Sequence, residues 1–153
     1  MEKKREILRT VWILLFLAYL LLLSYLLFFS STYGRTAEMG FRYNLKPFFE
    51  IRRGITYIEK VGYYYVLVNI AGNVVAFMPF GFLLPLISHR KQNTIKILFG
   101  GLFFSLCAET IQLVSRTGAF DVDDLILNTV GAVLGYWCFV LLFGRRRKKD
   151  ENG

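Results

Sequence analysis

Long apolar runs alternate with short charged stretches along the 153-residue chain. The apolar runs cover about residues 11–29, 63–87, 95–114 and 122–143. Each run is long enough, at 1.5 Å per residue in a helix, to cross a hydrocarbon core of about 30 Å. The pattern predicts an all-α membrane protein, in which residues 1–153 form a single membrane domain with four transmembrane helices.

The first apolar run follows a basic N-terminal stretch, and this arrangement is also typical of a signal peptide. The apolar region of a signal peptide usually has about 7–15 residues, and the run over residues 11–29 is longer. We therefore interpret it as an uncleaved first span.

A polar segment of mixed charge, residues 30–62, connects the first two spans. Within it, the stretch of residues 44–49 is expected to begin extended, because the residue before Pro47 disfavours the α conformation. Beyond Pro47, apolar residues recur at the spacing of a short amphipathic helix that lies on the membrane surface, at Phe48, Ile51, Ile55 and Ile58.

The basic residues predict the orientation of the chain. Of the 19 Lys and Arg residues, twelve lie before the first span, in the 88–96 loop at the start of the third, or after the fourth. The positive-inside rule then places both termini in the cytoplasm and the 30–62 segment outside the cell membrane. Since headgroup anchoring explains these charges, we expect no nucleic-acid partner. Neither Cys107 nor Cys138 has metal-ligand or disulfide spacing, so we expect no cofactor and no metal.

Polar residues near the outer ends of three predicted helices are the candidates for a functional site, because such residues are expensive at bilayer depth. Helical spacing aligns them in one stripe per helix, and each stripe reaches about 10 Å below the outer helix end. We expect the three stripes to converge on one cavity. The candidate ligand-binding residues are Asn69, Asn73, Glu109, Gln112, Arg116, Asp121, Asp124 and Asn128.

Purely structural roles stay open for several of these residues. The amide side chains fit interhelical hydrogen bonds, and Asp121 with Asp123 fits a helix N-cap and a first-turn acid. Arg116 is placed to bridge Glu109 and Asp124, in an ion pair that is either structural or in contact with a ligand.

Two further patterns concern helix geometry. Gly131 and Gly135 are spaced for close helix packing. Pro79 is expected to kink or end the second span.

Four segments, in this order and spacing, resemble the VanZ-like family: Asn44-Leu45-Lys46-Pro47-Phe48, NIAGNVVAFMPFG (69–81), Glu109-Thr110-Ile111-Gln112 with Arg116, and DVDDLILNTVGAVLG (121–135). The resemblance covers roughly residues 40–143. It implies a small bacterial multi-span membrane protein, in a family whose namesake is linked to resistance to teicoplanin, a lipid-tailed glycopeptide. Lys46 departs from the family pattern, which has an apolar residue there.

Three functions remain open. The first is a membrane protein that handles or excludes an amphiphile at the outer leaflet, either a lipoglycopeptide such as teicoplanin or a lipid or cell-wall precursor. The second is an intramembrane enzyme that acts on a lipid-linked substrate through Glu109, Asp121 and Asp124, although no nucleophile pattern accompanies these carboxylates. The third is a structural or assembly partner. The sequence leaves the oligomeric state open.

Overall fold

A computed structural model describes residues 2–29, 43–88 and 91–151. The remaining part of the predicted connecting segment, residues 30–42, lies outside the described residues. The described part forms six helices and two short strands, in the order α1 (Glu2–Phe29), β1 (Tyr43–Asn44), α2 (Phe49–Thr56), α3 (Ile58–Val61), α4 (Tyr63–Ile87), α5 (Thr94–Val114), β2 (Phe120–Asp121) and α6 (Val122–Glu151).

Four of the helices are long and apolar enough to cross a membrane, over Glu6–Leu27, Val66–Ile87, Thr94–Val114 and Val122–Phe143. Many of their large apolar side chains are exposed, as expected of helices that face lipid. These helices confirm the predicted fold class, an all-α membrane protein with four transmembrane helices.

Two hydrogen bonds show how the ends of the bundle are arranged. Arg9 Nε, near the start of α1, donates to the carbonyl oxygen of Ile87 at the end of α4, at 3.2 Å. Gln112 Nε2, near the end of α5, donates to the carbonyl oxygen of Leu27 at 3.1 Å. Successive long helices therefore run in opposite directions, and β1, α2, α3 and β2 belong to the end of the bundle where α1 and α5 finish.

Helices α4 and α6 form the most extensive contact in the bundle, and glycines make it possible. A methyl group on Gly131 would lie 2.1 Å from the carbonyl oxygen of Val74, and one on Gly135 would lie 1.9 Å from that of Met78. Since carbon and oxygen atoms do not approach this closely, glycine is required at both positions. The prediction of close helix packing at these two glycines is confirmed.

Helix α4 runs unbroken through Pro79 and Pro85, so Pro79 does not end it, and the alternative, a kink at Pro79, stays a prediction. A proline removes one backbone donor, but its neighbours in a packed bundle can compensate. The Tyr19 hydroxyl donates to the carbonyl oxygen of Ala76 at 3.0 Å, next to the Val75 carbonyl that Pro79 leaves without its helical donor. This bond also attaches α1 to α4.

The described part of the connecting segment begins extended, as predicted, and continues as two short helices, α2 and α3, where one was predicted. Strand β1 pairs in parallel with β2, with Tyr43 opposite Phe120 and Asn44 opposite Asp121. Helices α2 and α3 follow and contact α4. Gly54 lies within α2 and does not interrupt it.

Candidate functional site

The carboxylate of Asp123 fixes the start of α2 from a distant part of the chain. Its Oδ2 accepts hydrogen bonds from the backbone amides of Glu50 at 2.8 Å and Ile51 at 3.1 Å, and its Oδ1 accepts one from the amide of Phe48. The side chain is 1% exposed. The first amides of a helix have no partner within the helix, and Asp123 supplies that partner. Helix α2 is therefore attached directly to the start of α6.

Asp121 links the start of α6 to β1 and α5. Its Oδ1 accepts hydrogen bonds from the Asp123 amide at 2.8 Å and from Asn44 Nδ2 at 3.0 Å, and its own amide donates to Glu109 Oε2 at 3.0 Å. Burial raises the pKa of the Asp121 carboxyl above its usual range, while the two hydrogen bonds oppose that shift. The bond to the Asp123 amide is the N-cap of α6 that the sequence predicted. Asp123 is the predicted first-turn acid of α6, and it also caps the start of α2.

Asn73 and Asp124 join α4 to α6, about one helical turn beyond Asp121. Asn73 Nδ2 donates to Asp124 Oδ1, and Asn73 is 8% exposed. Deeper in the bundle, Asn128 Nδ2 donates to Ser105 Oγ at 2.9 Å. Asn73 and Asn128 thus make the interhelical bonds that were one of the two predictions for the amides.

The side-chain carbonyl oxygen of Asn128, Oδ1, has a different environment from Nδ2. Its Oδ1 is buried and accepts no hydrogen bond from the part of the chain that the structure describes. A buried acceptor without a donor costs about 1–3 kcal/mol. The Asn128–Ser105 contact is therefore only half satisfied.

A cavity of about 230 Å³ opens between α2–α3 on one side and α4 and α6 on the other. Its polar lining mixes both signs of charge with amide and phenol groups, and aliphatic side chains fill the remaining wall. The lining residues are Glu50, Ile51, Arg53, Gly54, Tyr57, Lys60, Val66, Asn69, Ile70, Asp123, Asp124 and Leu127.

Only part of the predicted site faces this cavity. Asn69 and Asp124 line it, and Asn73, which does not line it, donates a hydrogen bond to Asp124. Glu109 is 2% exposed and Asn128 is 1% exposed, and neither lines the cavity. The predicted stripes therefore do not converge on one cavity. Asn69 and Asp124 line the cavity, whereas Glu109 and Asn128 lie in packed, hydrogen-bonded surroundings.

Two of the predicted site residues point elsewhere. Gln112 bonds to α1, as described above. Arg116 lies beyond the end of α5, adopts a left-handed backbone with φ 56°, and has an exposed side chain. The prediction that Arg116 shares a buried helical face with Glu109 is wrong, because α5 ends at Val114 and the i+7 spacing no longer applies.

The side chains that α2 and α3 contribute to the cavity were not predicted from the sequence. Arg53, Tyr57 and Lys60 follow one another at the helical spacings of four and three, and all three line the cavity, although Tyr57 lies between α2 and α3. Lys60 Nζ lies 5.7 Å from the centre of the Tyr57 ring, and Arg53 Nη2 lies 2.8 Å from Glu50 Oε2. This spacing was visible in the sequence, but only the apolar face of the segment was used for the prediction.

Within residues 2–29, 43–88 and 91–151, no group of three or more His, Cys, Asp or Glu side chains is arranged to hold a metal ion. The carboxylates of Asp121 and Asp123 accept hydrogen bonds from amide groups of the chain. The cavity lies at one end of the helical bundle.

The fold and the cavity define a class: a multi-pass α-helical membrane protein with a small polar cavity beneath two short helices. A profile of the VanZ/LLP1 family matches residues 16–143. The chain belongs to this family, as the motifs in its sequence indicated.

Protein VanZ of Enterococcus faecium is 40% identical to the chain over 63 residues. The matched stretch is 41% of this chain and 38% of that relative, so it spans well under half of the relative's length. No solved structure matches the chain.

Proposed function

We propose that this VanZ-like protein binds the polar head of an amphiphile in the cavity between α2–α3 and α4–α6. The amphiphile is a lipid, a cell-wall lipid precursor or a lipid-tailed glycopeptide such as teicoplanin. The observation that carries the proposal is the cavity lining, which combines charged and amide groups with aliphatic side chains at one end of a membrane bundle. A head that is partly polar and partly apolar fits such a lining.

The orientation of the protein is part of the proposal. The excess of Lys and Arg at the opposite end of the bundle supports an orientation in which both termini are in the cytoplasm and the cavity is at the outer leaflet of the cell membrane. From that position the protein can bind or exclude an amphiphile that approaches from outside.

The residues proposed to contact the ligand are Asn69 and Asp124, with Asn73 positioning Asp124. Arg53 and Lys60 are added from the opposite wall. The cavity volume of about 230 Å³ is below the range of about 300–1,000 Å³ that is usual for drug-sized ligands. We therefore expect it to take the head of the amphiphile, while the tail stays in the bilayer.

A cavity-filling substitution tests this function. Ile70→Trp places an indole in the cavity, whereas Leu67→Trp, the matched control, adds the same group on the 65%-exposed face of α4. In a teicoplanin-sensitive Gram-positive host, at equal protein abundance, we expect Ile70→Trp to lose the protection that the parent and Leu67→Trp provide. Equal protection by both variants would exclude the cavity as the site.

A binding measurement separates the antibiotic from other amphiphiles. Purified parent and Ile70→Trp are compared for the lipids that remain bound after extraction in a mild detergent, with mass spectrometry as the readout. Lipid retained by the parent and lost from Ile70→Trp supports the cavity even if the parent gives no protection against teicoplanin. Equal retention by the two proteins contradicts the proposal.

A further inference from the structure

The charges around the cavity are not evenly distributed. Arg53 and Lys60 have exposed side chains, and Arg53 is 60% exposed. On the opposite wall, the Asp124 side chain is partly buried against Asn73. The basic groups therefore lie at the rim, and the acidic group of α6 lies further inside.

Acidic groups outnumber basic ones in the lining, three to two. Asp123 is occupied by the amides of α2, and Glu50 pairs with Arg53 at 2.8 Å. Glu50 lies on the α2 wall and Asp124 on the α6 wall, so the cavity has a carboxyl group on each side. A positive group between these two walls would be attracted by both carboxylates.

The positive group that fits best is an ammonium. It donates three hydrogen bonds, and carboxylates with the amide oxygen of Asn69 can accept them. A bound metal fits less well, since the described residues provide no group of three His, Cys, Asp or Glu ligands.

The rim has the complementary chemistry. The planar guanidinium of Arg53 can bind a phosphate with two parallel hydrogen bonds, and Lys60 adds a second positive charge seven residues further along. Between rim and interior, the aliphatic side chains of Ile51, Val66 and Leu127 offer surface to the carbon atoms of a ligand.

We propose that the cavity binds the head of a zwitterionic phospholipid with a primary ammonium, of the phosphatidylethanolamine type. The ammonium lies between Glu50 and Asp124, and the phosphate lies against Arg53 and Lys60. This inference rests on the proposed function, because it names the class of amphiphile that the same cavity binds.

The test uses the full chain, purified in detergent and titrated with short-chain dihexanoyl phosphatidylethanolamine or dihexanoyl phosphatidylglycerol. Native mass spectrometry counts the bound lipid. We expect the parent to bind the ethanolamine lipid about fivefold more tightly, which corresponds to about 1 kcal/mol. Phosphatidylglycerol is the comparison because it has the phosphate without the ammonium.

Two matched pairs of variants assign the two halves of the head. Arg53→Gln should weaken the binding of both lipids, whereas Arg52→Gln removes a neighbouring exposed charge outside the cavity and should change neither. Asp124→Asn keeps an oxygen for the Asn73 bond and should abolish the preference for the ethanolamine lipid. Glu59→Gln, outside the cavity, should keep that preference. If Asp124→Asn does not accumulate, Glu50→Gln replaces it.

The outcomes separate the two proposals. If the parent binds phosphatidylglycerol as tightly as phosphatidylethanolamine, and Arg53→Gln weakens both, the lipid class is wrong and the amphiphile site stands. If the preference survives Asp124→Asn, or Glu50→Gln where that variant replaces it, the assignment of the ammonium is wrong. If the parent binds neither lipid and Ile70→Trp behaves like the parent in retaining lipid, both proposals fail.

Discussion

The carboxylate of Asp123 joins parts of the chain that are 72 to 75 residues apart. Because it is buried and accepts bonds from three amides, it determines where α2 lies over the cavity. The motif around Asn44–Phe48 and the motif around Asp121–Asp124 therefore form one interlocked unit, with Asn44 bound to Asp121 and α2 bound to Asp123.

Asp123→Ala should release the start of α2. Loss of a helix cap costs about 0.5–2 kcal/mol, and the burial of the Asp123 carboxylate favours the upper part of that range. We expect faster hydrogen–deuterium exchange at the amides of Glu50 and Ile51, measured by mass spectrometry. Asp123→Asn keeps one acceptor oxygen and should give an intermediate rate. An unchanged rate in Asp123→Ala would show that another group caps the helix.

The Asn128–Ser105 pair allows a double-mutant cycle inside the bundle. Ser105→Ala removes the partner of Asn128 Nδ2 and should cost about 1 kcal/mol of unfolding free energy. Adding Asn128→Leu removes both polar atoms, including the Oδ1 that accepts no bond from the described residues, and should return the stability close to that of the parent. Unfolding is followed in detergent micelles with increasing dodecyl sulfate. If the effects of Ser105→Ala and Asn128→Leu on the unfolding free energy simply add, the two side chains are not coupled and Asn128 has another role.

At the scale of helices, the contact between α4 and α6 depends on backbone atoms that nearly touch. The carbonyl oxygens of Val74 and Met78 lie where side chains at Gly131 and Gly135 would have to be. Since this contact also fixes α4 and α6 as walls of the cavity, helix packing and the site are coupled.

Gly135→Ala should therefore destabilise the bundle by about 1–3 kcal/mol, the usual cost of overpacking. Gly100→Ala is the matched control: its methyl group would lie 4.0 Å from the ring of Phe80, and alanine favours the helix by up to about 1 kcal/mol over glycine. Unfolding in dodecyl sulfate should show opposite shifts for the two variants. Similar shifts would mean that α4 and α6 separate easily.

The sequence predicted the four long helices because long apolar runs specify a membrane helix without reference to its neighbours. It did not predict that Asp123 caps α2, since the cap and the capped amides are distant in the chain. It placed Arg116 wrongly because the helical spacing was continued past Val114, where the predicted span already ended. Contacts between distant segments decide which polar residues are packed, as Glu109 is, and which line the cavity, as Asp124 does. Local patterns in the sequence do not contain this information.

At the scale of the whole molecule, the two ends of the bundle differ in chemistry. One end has the β1–β2 pair, α2, α3 and the cavity, with exposed aromatic side chains at Tyr43, Phe48, Tyr63 and Tyr64. Such residues are typical of the interface between bilayer and water. The opposite end has the polar loop that joins α4 to α5 and the basic C-terminal stretch after residue 143.

The orientation in the membrane can be tested with cysteine labelling. Starting from Cys107→Ala with Cys138→Ala, we expect Ser115→Cys to react in intact cells with a thiol reagent that does not cross the membrane, because Ser115 is exposed at the cavity end. Lys148→Cys should react only after the cells are opened, since the basic C-terminal stretch is predicted to be cytoplasmic. The reverse pattern would place the cavity in the inner leaflet, and the proposed encounter with an antibiotic or lipid from outside would then be impossible. Labelling of both cysteines in intact cells would contradict a single fixed orientation.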